Sequence, residues 1–86
     1  MAVYRVEINR SAAKEIDGIG SIEDRRRVVG RIARLADEPR PRGCQKLSGR
    51  EAYRVRQGRY RIVYTIEDNR LLVVVVRVAH RRDVYR

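Results

Sequence analysis

The apolar run LLVVVV at 71–76, continued by Arg77-Val78-Ala79, constrains the fold more than any other stretch of this chain. As a strand over 71–79 it is apolar on both faces, which predicts a central strand covered on each side or nearly so. The remaining elements must supply that cover. Residues 3–8 alternate, with Val3, Arg5 and Glu7 on one side and Tyr4, Val6 and Ile8 on the other. That period of two predicts a half-buried strand. The same period returns over 52–56 and 60–66, with Gly58 and the Asp68-Asn69 pair as turns.

Between the first strand and the later ones the period becomes helical. Asn9 or Ser11 caps a short helix that carries Ala12, Ala13, Ile16 and Ile19, and Gly18 and Gly20 end it. Ser21, with Asp24 three residues on, opens a second helix. Its expected apolar stripe is Ile22, Val29, Ile32, Ala33 and Ala36, widened by Val28 and Leu35. Arg25, Arg26, Arg27, Arg31 and Arg34 fill the remainder, and Pro39 and Pro41 stop the helix. The expected fold is therefore α+β in the order β-α-α-β-β-β. Two amino-terminal helices pack on a small, mainly antiparallel sheet.

Size and composition narrow the class. Eighty-six residues suit one domain, 1–86, and a chain of this length buries roughly 60% of its unfolded surface. Two-domain catalysis, a dinucleotide fold and a membrane channel are excluded. With 43% hydrophobic residues the chain reads as globular rather than disordered, despite 37% charged residues. Cys44 is the one cysteine and His80 the one histidine, so neither an internal disulfide nor a structural metal site is expected. The start MAVYRVEI lacks the apolar core of a secretory signal. The run at 71–76 is too short to span a bilayer. A reducing cytoplasmic location is expected.

The charge has a particular character. Of 21 basic residues only Lys14 and Lys46 are lysines, and the net charge is +10. Guanidinium groups grip phosphate bidentately, which points to a polyanionic partner: nucleic acid first, an acidic protein second. A GC-rich genome or thermal adaptation also enriches arginine, but neither would place the excess in one half. Residues 1–39 carry eight basic and seven acidic side chains; residues 40–86 carry thirteen and four.

Much of that excess falls on strands. Arg54 and Arg56 share one face, and Arg59 and Arg61 do the same on the next strand. Four guanidiniums on one sheet surface repel unless an anion lies across them. The competing reading is a solvated face with each arginine paired, for which Glu51, Glu67, Asp68 and Asp83 are the acids near in sequence. The last strand delivers His80, Arg81, Arg82 and Tyr85 to its far end. Nothing here resembles an activated Ser or Cys nucleophile or a carboxylate pair. RNA needs no protein nucleophile, because its own 2′-hydroxyl attacks the phosphate once it is held in line and its charge is stabilised.

Three motifs in order, KLSG at 46–49, AYRVRQGRYRIVYTI at 52–66 and VVVVRVAHRRDVY at 73–85, resemble the RelE/ParE toxin superfamily over essentially the whole chain. The resemblance implies a toxin of a type II toxin–antitoxin system, nearer the RelE branch. That branch enters the ribosomal A site and cuts mRNA there, as metal-independent, cofactor-free endoribonucleases that stop translation. By position it implies catalytic roles for Arg54, Arg56, Arg61, His80, Arg81 and Tyr85. Arg61 and Arg81 would be the phosphate-binding arginines and Tyr85 would stack on a base. Lys46, Arg50, Arg59 and Arg82 extend the basic surface as RNA-binding positions. The resemblance also implies an acidic cognate antitoxin, with DNA contacted only indirectly through the toxin–antitoxin complex, and no membrane partner.

One departure bears on the chemistry. The two basic positions of the first hairpin strand, commonly lysines in that branch, are Arg54 and Arg56 here. Arginine stays protonated at neutral pH and is a poor general base. His80 is the side chain that ordinarily titrates near neutrality, and Glu51 is the other candidate acceptor. Two other readings stay open: a ParE-type inhibitor of DNA gyrase on the same fold, and a non-catalytic RNA- or ribosome-binding member. Tyr60 and Tyr64 share strand parity and read as core. Tyr4 reads as structural and Cys44 as an inert thiol.

Overall fold

The computed structural model describes residues 3–49 and 51–82. Two short polar side chains start its helices. Asn9 Oδ1 accepts a hydrogen bond from the Ala12 N–H at 2.9 Å and opens α1, Arg10–Asp17. Ser21 Oγ accepts from the Asp24 N–H at 3.2 Å and opens α2, Ile22–Arg34. Each satisfies a donor that a helix amino terminus leaves without an intrahelical acceptor. Glu23 and Asp24 in the first turn of α2, and Arg31 and Arg34 in its last, complement the helix dipole. The helix ends before the prolines: the Leu35 N–H donates to Ile32 O at 3.0 Å in a tightened turn, and Pro39 and Pro41 lie in the loop beyond.

Five strands form one sheet in the order β1-β5-β4-β3-β2. They are β1 (Arg5–Ile8), β2 (Gln45–Lys46), β3 (Ala52–Gln57), β4 (Tyr60–Glu67) and β5 (Leu72–His80). β1 runs parallel to β5, and the other pairs are antiparallel. The α+β order expected from the chain's periodicity is thus observed, with a two-residue β2 added. β3 and β4 meet through Gly58-Arg59; Gly58 takes φ 61°, the positive φ that the first central position of such a hairpin requires.

Both helices lie on one face. α1 packs on β5 and on α2, which covers β3 and β4. The core between the layers holds Ala12, Ile16 and Ile19, then Val28, Ile32 and Leu35, against Val55, Ile62, Tyr64, Val73, Val75 and Val78. Tyr64 is fully buried, and its hydroxyl donates to Pro39 O at 2.7 Å while lying 3.3 Å from Cys44 Sγ. Burial pushes the Tyr64 hydroxyl far above the ordinary tyrosine range.

Four expectations need correction. The buried stripe of α2 is Val28, Ile32 and Leu35, whereas Ile22 and Val29 are 62% and 45% exposed. A narrow sheet covers one helical ridge only, and residues 28, 32 and 35 occupy it at i, i+4 and i+7. Residues 3 and 4 lie outside β1, because their N–H groups donate to Ala36 O at 3.1 and 3.0 Å instead of to a strand. Leu71 does not begin β5: it closes the 3₁₀ turn Asp68–Arg70 in the left-handed region, at φ 50°. Finally, β5 is interior but covered on one face. On the other, Val74 and Val76 are half-buried with no helix of the described residues over them, and Arg77 is exposed at the strand edge.

A candidate RNA-binding face

The uncovered sheet face collects the arginines. Cross-strand register sets Arg56 directly opposite Arg61, and Arg54 opposite Val63, on the side away from the helices. Pairing of Arg61 with Ala79 continues that side onto β5. The ladder runs one step past the strand, where the Arg81 N–H donates to Arg59 O at 2.7 Å. Arg81 is thereby held at the hairpin. Arg56, Gly58, Arg59, Tyr60, Arg61 and Arg81 line a small cleft of about 110 Å³. A wider depression of about 390 Å³ adjoins it, lined by Leu47, Arg54, Arg61, Val63, Val76, Arg77 and Ala79. Arg61 belongs to both.

Of the acids near in sequence, Glu51, Glu67 and Asp68 are engaged elsewhere, and Asp83 lies outside the described residues. Lys46 pairs with Glu51 at 3.5 Å, and Arg70 with Glu67 at 2.9 Å. Arg40 makes two hydrogen bonds to Asp68, at 3.1 and 2.9 Å. No carboxylate of the described residues pairs with Arg56, Arg59 or Arg81. Arg54 donates to the Gln45 side chain across the β2–β3 pair. The register does set Arg56 directly opposite Arg61, two basic residues on one face. Arg59 differs from expectation in sitting in the hairpin loop rather than on β4.

Not every candidate residue is on this face. Lys46 pairs opposite Tyr53, so it takes the other parity from Arg54. His80 pairs with Tyr60 on the helix side of the sheet, its ring meeting the Tyr60 ring edge-on at 5.3 Å. Its Nδ1 accepts from the Arg82 N–H at 3.1 Å. His80 and the cleft meet only around the strand end, where Arg59, His80, Arg81 and Arg82 line a further hollow of about 210 Å³. Arg50 and Tyr85 lie outside the described residues.

A polar cluster at the opposite end of the sheet braces the loop that leads to β2. Arg40 reaches Asp68, its guanidinium carbon lies 5.2 Å from the centre of the Tyr53 ring, and Tyr4 Oη donates to Asp68 Oδ1 at 2.6 Å. The hydrogen bond from Arg40, and then that from Tyr4, lower the Asp68 carboxyl to about 2. The same bond to Asp68 raises the Tyr4 hydroxyl. Tyr4, read from sequence as structural, is placed accordingly.

Sequence reading did not nominate Arg77 as a site residue. By strict alternation within the apolar run, position 77 shares parity with the buried Val73 and Val75. A charge at a position that reads as core was the available signal of a register shift.

Two helices on one face of a five-stranded sheet, with arginines gathered on the other, define a small α+β protein with a basic open face. Residues 6–85 match the family model described as the ParE toxin of type II toxin–antitoxin system, parDE, and the chain belongs to that family. Membership of the RelE/ParE superfamily, expected from the three motifs, is borne out. Toxin RelG of Mycobacterium tuberculosis (strain ATCC 25618 / H37Rv) is 47% identical over 34 residues, which span 40% of this chain and 39% of RelG. The fold matches that of the archaeal RelE–RelB complex from Pyrococcus horikoshii OT3 at TM-score 0.81 and 27% identity, over 92% of this chain and 96% of that one. It also matches the intact E. coli RelBE toxin–antitoxin complex at TM-score 0.75 and 26% identity, over 90% and 95%.

Proposed function

We propose that this toxin is an endoribonuclease that cuts mRNA in the ribosomal A site. The observation that carries the reading is the cleft where Arg56, Arg59, Arg61 and Arg81 converge on the helix-free face. A scissile phosphate there would meet several guanidiniums at once. In the reaction the RNA 2′-oxygen attacks the adjacent phosphorus and the bond to the 5′-oxygen breaks. A 2′,3′-cyclic phosphate remains, and the departing 5′-oxygen takes a proton from water to become a 5′-hydroxyl. Negative charge grows on the non-bridging oxygens as the new bond forms, and Arg56, Arg61 and Arg81 stabilise it. Arg54 and Arg59 hold the flanking backbone.

These guanidiniums do not accept the 2′-hydroxyl proton. His80 takes it where the RNA bends round the strand end, and Tyr85 stacks on a base. Glu51 is the weaker acceptor, since its side chain is 88% exposed and paired with Lys46. The solved relatives include complexes with a RelB antitoxin, and for this toxin we propose a cognate antitoxin that is acidic and offsets the basic half of the chain in the cytoplasm.

Induced expression without antitoxin, followed by mapping of mRNA ends, tests the reading. Cuts within codons are expected, and they should vanish in a triple Arg61→Ala, Arg81→Ala, Tyr85→Ala variant. Intact messages during growth arrest would overturn it. The family model, described by the ParE name, favours a second reading, inhibition of DNA gyrase. A supercoiling assay with purified toxin separates the two.

A further inference from the structure

β5 carries a one-residue register shift that decides where Arg77 goes. Tyr64 pairs with Val75, yet Val63 pairs with Arg77, so Val76 is the extra residue of a β-bulge. Without the bulge, Arg77 would share the parity of the buried Val73 and Val75 and would enter the core. With it, Arg77 joins the open face, while Val78 takes the core position opposite Ile62 at 3% exposure. A bulge disrupts its ladder locally and re-aims a side chain. Here it sets Arg77 on the open face at the edge of β5, where it rims the basic depression while its guanidinium also reaches toward Glu15 of α1 and lines a second hollow with Tyr60 and His80.

The surroundings of Arg77 suit an RNA strand. It rims the 390 Å³ depression together with Arg54 and Arg61, over a floor of Val63, Val76 and Ala79. A basic rim offers phosphate contacts, and an apolar floor accepts the face of a sugar or base. The existing tie on Arg77 is weak. Its Nε lies 3.9 Å from Glu15 Oε2, and its side chain is 55% exposed. An exposed ion pair at that distance is readily exchanged for a phosphate. The other Glu15 oxygen is committed to the backbone, accepting the Val78 N–H at 2.8 Å just past the bulge.

We propose that Arg77 is a further phosphate-binding residue of this toxin, one that grips the RNA backbone beside the cleft of Arg56, Arg61 and Arg81 and is held by Glu15 until RNA arrives. The inference rests on the RNA reading of the same face. Because Arg61 lines both hollows, one strand can run from cleft to depression without leaving the sheet.

The test is binding to ribosomes programmed with an mRNA whose A-site codon carries 2′-deoxynucleotides, so that nothing is cut. Dissociation constants are measured against salt for the wild type and for Arg61→Ala, Arg77→Ala, Arg77→Lys and Glu15→Gln. Arg77→Ala should weaken binding about tenfold and reduce the salt slope by about one. Arg77→Lys should restore the slope, which mere loss of packing would not allow. Glu15→Gln keeps an acceptor for Val78 and should tighten binding about two- to threefold. If Arg77→Ala matches the wild type while Arg61→Ala weakens binding, the inference alone is overturned. If Arg61→Ala also matches the wild type, the RNA reading of the face fails and takes the inference with it.

Discussion

Arg56 and Arg61 stand directly opposite each other across the β3–β4 pair, on the sheet face that no helix covers. Like charges so placed destabilise a strand pair, and opposite charges support it, by about 0.2–1 kcal/mol either way. Function and stability therefore pull apart at this pair. Arg56→Glu should stabilise the free protein by about 0.5 kcal/mol, on the scale of such cross-strand pairs. The same change should weaken binding to ribosomes at least tenfold, since it puts a carboxylate where the proposed function places a phosphate. Thermal unfolding beside ribosome binding checks both halves. A variant that loses stability and keeps affinity would contradict the reading of this face.

The Tyr64 hydroxyl ties the core to the loop between α2 and β2 through Pro39 O, at 2.7 Å. Tyr64→Phe removes that donor and leaves a buried carbonyl short of its partner. The expected cost is about 1–2 kcal/mol, read as a lower denaturant midpoint with an unchanged slope. The aromatic core contact with Tyr53, whose ring centre lies 6.0 Å away, should survive.

Asp68 couples three segments, taking hydrogen bonds from Tyr4 and Arg40. Its carboxyl is lowered from 3.8 to about 2 by Arg40 and then Tyr4. A depressed carboxyl stabilises the fold above the unfolded value and stops doing so as pH falls through the folded value. Stability should therefore drop between about pH 4 and pH 2, with the unfolded chain binding the extra proton. Asp68→Asn should flatten this part of the curve. An unfolding profile equally steep in both proteins would exclude Asp68 as its source.

What alternation and capping could reveal, they did: the strand β1, both helices and the three long strands follow from period, Asn9, Ser21 and Gly58. Three features escaped because they depend on partners distant in sequence. A two-residue strand such as Gln45–Lys46 has no period. The α2 ridge is chosen by the sheet it meets, so Val28 won over Val29. The bulge at Val76 reverses parity without leaving a mark inside an all-apolar run. For the same reason the site was only partly legible: Arg56, Arg61 and Arg81 do converge, but His80 sits on the helix side and Arg77 emerges on the open one.

Leu71 holds the left-handed region at φ 50°, a conformation that costs a non-glycine residue about 1–2 kcal/mol. It is 45% exposed, so its side chain contributes little packing in return. Leu71→Asn, whose short polar side chain tolerates this region, should raise stability by about 0.5–1 kcal/mol. A thermal melt checks this, and a lower midpoint would show that Leu71 packs more than its exposure indicates.

His80 and Arg81 are adjacent in the chain yet serve different sides of the sheet, His80 against Tyr60 and Arg81 in the arginine cleft. An RNA that touches both must turn around the end of β5. General-base catalysis contributes about 10²–10⁴-fold, whereas an imidazole outside the reaction contributes nothing to the cut. His80→Gln should therefore lower single-turnover cleavage on programmed ribosomes by about 10²-fold or more, with ribosome affinity held within about twofold. Arg81→Ala should instead lose both cleavage and affinity, because a phosphate contact acts in binding and in the transition state alike. Cleavage by His80→Gln at the wild-type rate would assign proton transfer to the ribosome and leave this chain the work of gripping and aligning the strand.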